Sequence, residues 1–454
     1  MNDTEQRKKK ILVVNFFPAF TPPKSGGELR YFSIYKALAE HYDITLINPT
    51  FPEDKPEIVQ HLPNLTEYRI PKSRAYIFLH RLLDRLGKFP ECSGIVVGLA
   101  CRFHKALRRC ITEQIKSADL IIHDSPFLVS VVKASAGQRE VYNSYNVEFD
   151  LHQAGLKGPL GWLLCQYVKR LEKRLSQRAE LIFATSDDDR QRFFELYEVL
   201  PTKVALAPNG VDTRNVRIPT PTERQQAKAT LQITGRPALL FFGSAHPPNV
   251  EAARYILDTL APAIPHCVFL IAGSVCKFFS SPPSQNVRIL GTVTEEKKRN
   301  LLKAADIAIN PMFSGSGTNI KMLDYLASGI PVVSTPIGAR GLSLESNRTA
   351  ILCHVREFPH AINSLLKNEP LREQLRRNGR QLVEQSFDWQ HIARRMHTAL
   401  EQPRLPVITV VNTYPVLPLQ FGGQFRIYNL YSHLAAHFRI CYLCFRSAST
   451  FCVS

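Results

Sequence analysis

The chain has 454 residues, 44% of them hydrophobic and 21% charged, and carries a formal net charge of +18. This length and composition predict a globular protein with two domains of ordinary size and some additional sequence. The positive excess is spread over both halves and no nucleic-acid-binding module is recognisable, which argues against nucleic acid as a partner. Acidic small-molecule substrates or an anionic membrane surface are expected instead.

Neither the start of the chain nor its cysteines suggest export. The first ten residues are basic but precede no apolar signal region, so a secretory signal is not expected. No run of about 18 apolar residues exists, so the sequence predicts no membrane span. The 10 cysteines are scattered and several lie in apolar runs, which favours a reducing environment. We therefore expect a cytoplasmic protein with, at most, peripheral contact with the membrane.

The chain opens with a strand–helix–strand pattern. Residues 11–15 form a buried-type strand, Gly26 and Gly27 precede a helix at 28–40, and 44–47 form a second strand. The glycines do not follow the dinucleotide fingerprint, and no acidic residue ends the second strand. The pattern therefore predicts a Rossmann-like opening that does not bind NAD.

Basic sequence follows this opening. Residues 51–115 are interpreted as loop and basic helix. The stretches 101–110 and 167–180 are basic and partly amphipathic. Solvated helix faces are the favoured explanation, and contact with a membrane surface is the alternative.

Strands and helices then alternate twice over. We expect strands at 120–123, 141–144, 181–184, 238–243, 268–273, 287–291 and 307–310, and helices at 249–260, 295–304 and 361–387. The turn at 208–212 and the polar segment after it are typical of a hinge. Two similar doubly wound α/β domains are therefore predicted, with the ligand in the cleft beyond the carboxyl ends of the strands.

The stretch 305–342 predicts a ligand-binding turn. Gly315 and Gly317 follow a strand and allow close approach of the backbone to a ligand. Thr318 or Asn319 is a suitable N-cap for the next helix, whose positive end is an anion site.

That helix has an apolar face made of Ile320, Leu323 and Ala327. Its other face carries Lys321, a full charge that opposes the helix dipole unless an anion is bound, and Asp324, which can accept hydrogen bonds from hydroxyl groups. A phosphate beside a polyol describes a nucleotide sugar. An ordinary βαβ unit with a solvated lysine is the alternative.

The last fifty residues repeat the opening of the chain. The residues shared in order with 11–44 are Ile408, Asn412, Pro415, Gly422, Gly423, Arg426, Leu434, His437 and Ile440. One strand–helix–strand unit cannot bury its apolar faces alone. In it, His433, His437, Cys441 and Cys444 have zinc-like spacing, but the repeat and strand alternation explain them, and we expect no metal.

Five spaced motifs give the chain a family resemblance. They are Gly26-Gly27, 145–148, 208–212, 242–249 and 315–341. Together they resemble the retaining glycosyltransferases of family 4 (glycosyl transferases group 1) over about residues 10–400. The resemblance implies a GT-B fold, in which two Rossmann-like domains face a cleft.

The boundaries that follow from this resemblance are an acceptor domain at 10–210 and a nucleotide-sugar domain at 211–386. A helix at 387–402 returns to the first domain, and 405–454 is the partial repeat. The implied activity moves a sugar from a nucleotide-diphosphate donor to the hydroxyl of a saccharide or lipid-linked acceptor, with retention, in polysaccharide or glycolipid biosynthesis. No cofactor and no obligatory metal are implied.

The resemblance also assigns site residues. The donor would contact Gly243 and residues of the two glycine turns and the helix that follows the second, namely Gly26, Gly27, Gly315, Ser316, Gly317, Thr318, Asn319, Lys321 and Asp324. The acceptor would lie near Asn146 and Glu148.

The chain departs from the family at several of its usual positions. Ser316 and Asp324 stand where two glutamates are common, Ser244 and Asn249 where an Arg/Lys pair is common, and Tyr145 where a histidine is common. No catalytic residue is assigned for this reason. A non-catalytic nucleotide-sugar binder, or a subunit of a split tandem enzyme, is the alternative. A nucleotide-sugar epimerase is less favoured, since no paired acid and base groups accompany the cleft motifs.

Overall fold

The computed structural model describes residues 7–23, 25–87, 92–279, 284–315, 317–402, 407–435 and 438–444. The chain divides into two compact units, Met1–His397 and Thr398–Ser454. Each unit is described by itself below.

The first unit begins with an eight-stranded sheet. Its strands are β1 (Lys10–Val14), β2 (Asp43–Thr50), β3 (Glu57–Leu62), β4 (Leu65–Pro71), β5 (Leu120–His123), β6 (Arg139–Asn143), β7 (Leu181–Ala184) and β8 (Val204–Leu206). The order is β3-β4-β2-β1-β5-β6-β7-β8, and every neighbouring pair is parallel except β3 and β4. Central β1 is almost wholly apolar and buried, as expected for a strand covered on both faces.

In the described residues of this half, seven α-helices accompany the sheet. They are α1 (Gly26–Leu38), α2 (Arg74–Leu86), α3 (Ser93–Ala100), α4 (Lys105–Ile115), α5 (Glu148–Gly155), α6 (Gly158–Arg178) and α7 (Asp187–Tyr197). Helix α1 begins at the glycine pair, where the Ser25 hydroxyl accepts a hydrogen bond from the Glu28 amide.

A second, fully parallel sheet follows in the order β11-β10-β9-β12-β13-β14. Its strands are β9 (Ala238–Phe242), β10 (Val268–Ala272), β11 (Val287–Ile289), β12 (Ile307–Asn310), β13 (Val332–Ser334) and β14 (Ile351–Leu352). The helices are α8 (Pro221–Thr230), α9 (Pro247–Tyr255), α10 (Ala261–Ala263), α11 (Glu295–Ala304), α12 (Ile320–Ala327), α13 (Phe358–Lys367), α14 (Glu369–Ser386) and α15 (Trp389–Glu401). The predicted α/β architecture of two doubly wound sheets is confirmed.

Two segments of chain run side by side between the sheets. The Val211 amide donates to the Phe387 carbonyl over 2.9 Å, and the Trp389 amide donates back to the Val211 carbonyl. A Cβ placed on Gly210 would lie 2.7 Å from the Trp389 ring. After this crossing, Gln390 of α15 donates to Glu40, and His397 shares a 2.8 Å hydrogen bond with the Tyr42 hydroxyl.

The structure corrects two predictions about elements. Residues 51–115 contain strands β3 and β4 as well as helices, although loop and helix were expected. The single helix expected at 361–387 is two helices, because Asn368 caps α14 and Pro370 in its first turn has no amide hydrogen to continue α13.

The second unit includes a small strand–helix–strand fold. Strands β15 (Val407–Asn412) and β16 (Arg439–Cys444) pair in parallel and are joined by helix α16 (Gly422–Leu434). This is the element order of β1, α1 and β2. Among the side chains described in 408–435, Gln424 alone is buried, and apolar side chains including Val411 and Leu430 are exposed.

None of the helices in the described part of the chain has the length and apolar character needed to cross a bilayer.

Candidate functional site

The glycine turn between β12 and α12 forms the centre of the candidate site. Gly315 and Gly317 have φ values of +134° and +67°, conformations that side-chain-bearing residues rarely adopt. Arg340 donates from Nη2 to the Gly317 carbonyl oxygen over 2.9 Å. The turn therefore has backbone conformations that favour glycine, and the Arg340 guanidinium lies beside it. Ser316 lies outside the described residues.

The amino end of α12 is not capped by a side chain. Asn319 occupies the N-cap position, but its amide donates to the Gly338 carbonyl over 2.9 Å instead of interacting with the first turn. Thr318 lies against Gly341, where a Cβ would come within 2.7 Å of its hydroxyl. The first-turn N–H groups therefore have no side-chain acceptor among the described residues, and the positive end of the helix is suited to an anion.

Lys321 differs from its predicted state. The sequence predicted a full charge on a polar face, whereas in the structure the side chain is partly buried, and desolvation of the ammonium lowers its pKa to about 7. Nζ donates to Asn249 Oδ1 over 2.7 Å and lies 4.3 Å from the centre of the Phe241 ring. In the unliganded protein near neutral pH, Lys321 is therefore only partly charged.

Lys321 is also linked to Ser244 and Asn249, the two positions where the family's Arg/Lys pair is replaced. Asn249 accepts a hydrogen bond from Lys321 and donates one to the Ser244 hydroxyl over 3.0 Å. A single chain of hydrogen bonds therefore joins Lys321 to both substituted positions. The amino group of Lys321, on α12, thus lies beside Asn249 of α9.

Asp324 lies one turn further along α12 and is already paired. Its Oδ2 lies 2.8 Å from Lys298 Nζ of α11. Burial lowers the pKa of Lys298, but the charge and hydrogen bond of Asp324 outweigh it and raise that pKa overall. One oxygen of Asp324 is engaged in this pair, so a ligand hydroxyl would share the carboxylate with Lys298.

The glycine turn of the first sheet faces this helix. A Cβ on Gly26 would lie 2.5 Å from Ile320 Cδ1, and a Cβ on Gly317 would lie 2.9 Å from Asn146 Oδ1. Gly27 packs near Tyr145, with 3.9 Å between the ring and its Cβ position. The structure therefore brings Gly26 to the first turn of α12 and Asn146 to the predicted donor turn, whereas Gly27 packs beside Tyr145.

A buried carboxylate supports the Tyr145 side of the cleft. Asp124 accepts hydrogen bonds from the Tyr145 hydroxyl at 2.5 Å, from Asn143 at 2.9 Å and from Tyr35. Burial raises the pKa of Asp124 to about 6 against these donors. Arg30 of α1, also buried, donates to Asn143 and to the Pro208 carbonyl. This network connects α1 to the segment before Asn146 and to the turn at 208–212.

Glu148 is not open to the cleft as the acceptor assignment suggested. It is 7% exposed, and its Oε2 lies 3.5 Å from His152 Nε2. The first amides of α5 donate to Glu172, whose pKa is raised to about 7 by burial and by the charge of Glu148. Glu148 therefore faces the interior of the first half.

Gly243 ends β9 and has a packing role in the structure. A Cβ there would lie 2.9 Å from Val275 Cγ1. The neighbouring Gly273, with φ at +108°, packs its own Cβ position 2.2 Å from the Gly243 carbonyl oxygen. This close backbone approach explains glycine at both positions without a ligand.

Arg340 is the site residue that the sequence interpretation missed. Its guanidinium touches the glycine turn and has no carboxylate partner among the described residues. The available signal was its position after β13, at the edge of the sheet where the glycine turn also lies. A guanidinium remains charged at every physiological pH.

The comparisons with known proteins agree with this geometry. A model described as "Glycosyltransferase Family 4" matches residues 24–215, and one described as "Glycosyl transferases group 1" matches residues 236–368. The chain belongs to the GT-B glycosyltransferases of family 4. The first match covers β2 to β8 of the first sheet, and the second covers the whole second sheet with the glycine turn and α12.

Two curated relatives are similar over about half of the chain. A D-inositol 3-phosphate glycosyltransferase of Nocardioides sp. is 21% identical over 49% of this chain and 54% of its own length. A GDP-mannose-dependent phosphatidylinositol monomannoside mannosyltransferase of Corynebacterium glutamicum is 24% identical over 54% of this chain and 68% of its own length. The chain thus spans about half to two thirds of these relatives.

Solved structures share the fold over most of the chain. The Anabaena protein HepE, in complex with UDP and glucose, has a TM-score of 0.62 at 16% identity, covering 86% of this chain and 99% of that one. WaaG, a glycosyltransferase involved in lipopolysaccharide biosynthesis, has a TM-score of 0.60 at 15% identity, covering 87% and 100%.

In the described part of the chain, no group of three or more His, Cys, Asp or Glu side chains is placed to hold a metal ion. His437, one of the four residues with zinc-like spacing, lies outside the described residues.

Proposed function

We propose that this family 4 glycosyltransferase transfers a sugar from a nucleotide-diphosphate sugar to an acceptor hydroxyl, with retention of anomeric configuration. The observation that supports the proposal most is the uncapped amino end of α12 between two glycine turns, with Arg340 and Lys321 beside it. Backbone N–H groups, a permanent cation and a titratable cation together suit a diphosphate.

These residues have a direct role in the reaction. The bond between the anomeric carbon and the diphosphate breaks, and negative charge builds on the departing phosphate. Arg340, protonated Lys321 and the first-turn amides of α12 stabilise that charge. The acceptor oxygen forms the new bond. With retention it enters on the face that the diphosphate leaves, so a phosphate oxygen is the nearest base for the acceptor's proton.

The acceptor in this proposal is a saccharide or a lipid-linked precursor in polysaccharide or glycolipid synthesis. The relatives support this class, since one is named for a phosphatidylinositol mannoside and WaaG for lipopolysaccharide biosynthesis. HepE binds UDP and the mannosyltransferase relative is named for GDP-mannose. Uridine and guanosine diphosphate sugars are therefore the first donors to screen, by ligand-induced shifts in melting temperature.

Donor hydrolysis by the purified chain tests the proposal. We expect slow, saturable release of nucleoside diphosphate from the donor that gives the largest thermal shift, and loss of release in Arg340→Ala. The alternative, a non-catalytic nucleotide-sugar binder, is motivated by the replaced residues Ser244 and Asn249. Saturable donor binding without any turnover, with or without candidate acceptors, would establish that alternative.

A further inference from the structure

Helix α2 has one apolar surface that extends from its buried core face to exposed positions. Tyr76, Leu79 and Leu83 pack into the core of the first half. Phe78, Leu82 and Leu86 are 67%, 40% and 60% exposed. The exposed three are spaced four residues apart, so they form one continuous row along the helix, which we call the α2 stripe. Three large apolar side chains in a row on the surface require a partner that is itself apolar.

A row of arginines borders the α2 stripe. At 100° per residue, Arg74, Arg81 and Arg85 project together beside Phe78, on the side of the stripe away from the core. All three are exposed, and none has a carboxylate within salt-bridge distance among the described residues. Asp84 lies on a different side of the helix, where it pairs with His80 at 3.0 Å. The partner of the stripe is therefore expected to carry negative charge next to apolar groups.

The turn before α4 lies close to the segment that enters α2. His104 Nε2 bonds the Pro71 carbonyl over 2.8 Å, which holds the residues before α4 against the segment that enters α2. In that turn Phe103 is 75% exposed, and Arg102 is exposed beside it. A second exposed aromatic residue with an adjacent arginine thus lies near the start of the helix.

Apart from Phe103, the two basic stretches singled out in the sequence, 101–110 and 167–180, lack an exposed apolar row. In α4, Leu107, Ile111 and Ile115 are all buried, so only its charges meet solvent. In the basic part of α6, Val168, Leu171 and Leu175 are buried in the same way. Their basic faces are therefore solvated faces without an exposed apolar row.

We propose that α2, with Phe103, docks this protein on an anionic lipid bilayer. The α2 stripe enters the boundary between headgroups and acyl chains, and the arginines contact lipid phosphates. An amphipathic helix with arginines along one border fits a charged bilayer surface better than a protein groove, because a bilayer offers apolar depth and phosphate together. The proposal is independent of the donor site.

Vesicle flotation of the full chain tests it. We expect binding to phosphatidylcholine vesicles that contain phosphatidylglycerol, and binding about a hundredfold weaker to phosphatidylcholine alone, from roughly fivefold per arginine. The triple variant Phe78→Ser, Leu82→Ser, Leu86→Ser should lose at least tenfold in affinity for the anionic vesicles. Arg81→Gln with Arg85→Gln should remove most of the preference for the anionic lipid.

Phe194→Ser is the matched control, because Phe194 is an exposed apolar residue on α7, whose first turn is acidic. It should bind vesicles as the wild type does, and all variants should keep the wild-type melting temperature. Unchanged vesicle binding in the triple variant would overturn the proposal. So would a wild type that ignores vesicles but forms dimers that the triple variant abolishes, since the stripe would then join two copies of the chain.

Discussion

Lys321 carries a charge whose presence depends on what is bound beside it. Burial without a carboxylate partner among the described residues lowers its pKa to about 7. A phosphate close to Nζ would restore the charged form, because an opposite charge at short range favours it. Lys321 would therefore become fully protonated when an anion binds beside it.

Proton uptake on binding follows from this pKa. At about pH 8 most Lys321 side chains are neutral, so binding of a nucleoside diphosphate should take up about one proton, and affinity should fall as pH rises above about 7. Calorimetry in two buffers of different ionisation enthalpy measures the uptake. Lys321→Arg, which is always charged, is the control and should show none. Wild-type binding without proton uptake at this pH would contradict the buried-lysine account.

The same pKa predicts a stability effect in the unliganded protein. A lysine with a lowered folded-state pKa destabilises the fold when it is protonated, and this cost disappears as pH rises from about 7 towards 10. Lys321→Met should therefore raise the melting temperature at about pH 6 and raise it less at about pH 9. Thermal unfolding at the two pH values measures this. A variant less stable than the wild type at the lower pH would show that Lys321 is not strained there.

Arg340 supplies the charge that does not depend on pH. If it contacts the donor diphosphate, the contact is worth about 1.5–3 kcal/mol. Arg340→Ala should weaken diphosphate binding by about one to two powers of ten and leave nucleoside binding unchanged. Arg348→Ala is the matched control, since Arg348 is a nearby exposed arginine paired with Glu345 at 2.7 Å. Equal losses in both variants would indicate only a general effect of surface charge.

At the scale of elements, the sequence predicts most of what a strong local pattern encodes. The buried strands and the glycine turn at 315–317 follow from apolar runs and glycines, and they stand where expected. Strands β3 and β4 were missed because their polar residues, such as Glu57 and Glu67, hide the alternation of an edge pair. The role of Arg340 needs the tertiary fold, because it contacts a turn 23 residues earlier in the chain.

The same limit applies to burial. Lys321 and Glu148 look like exposed charges in the sequence, and only packing from distant segments shows that Glu148 is buried and Lys321 partly buried. For the α2 stripe, it is the exposure of apolar side chains that the sequence does not show. Tyr76 and Phe78 are equally apolar in the sequence, and only the fold separates the buried face from the exposed one.

We predict that the strand–helix–strand element at the end of the chain is dispensable for the stability of the rest. It pairs only two strands and leaves apolar side chains exposed. A chain that ends after Gln402 should keep the melting temperature and donor affinity of the full chain nearly unchanged. Differential scanning calorimetry and donor titration of both lengths measure this. A large drop in melting temperature would show that the element contributes to the stability of the rest.

In the whole molecule, the first unit joins two glycine turns across one cleft. Gly26 and Asn146 lie in the half of the chain that contains the first sheet, and Gly317 and Ile320 lie in the half that contains the second. The family's usual basic pair is absent, and Lys321 and Arg340 approach from α12 and from the loop after β13. We propose that these replacements still bind the diphosphate of a nucleotide sugar.

Calorimetric titration with a nucleoside and its diphosphate tests this claim most directly. Lys321→Ala should weaken diphosphate binding by about one to two powers of ten and hardly affect the nucleoside. Asp324→Ala should weaken both ligands alike, since its proposed partners are sugar hydroxyls. Equal affinity of the wild type and Lys321→Ala for the diphosphate would contradict the account.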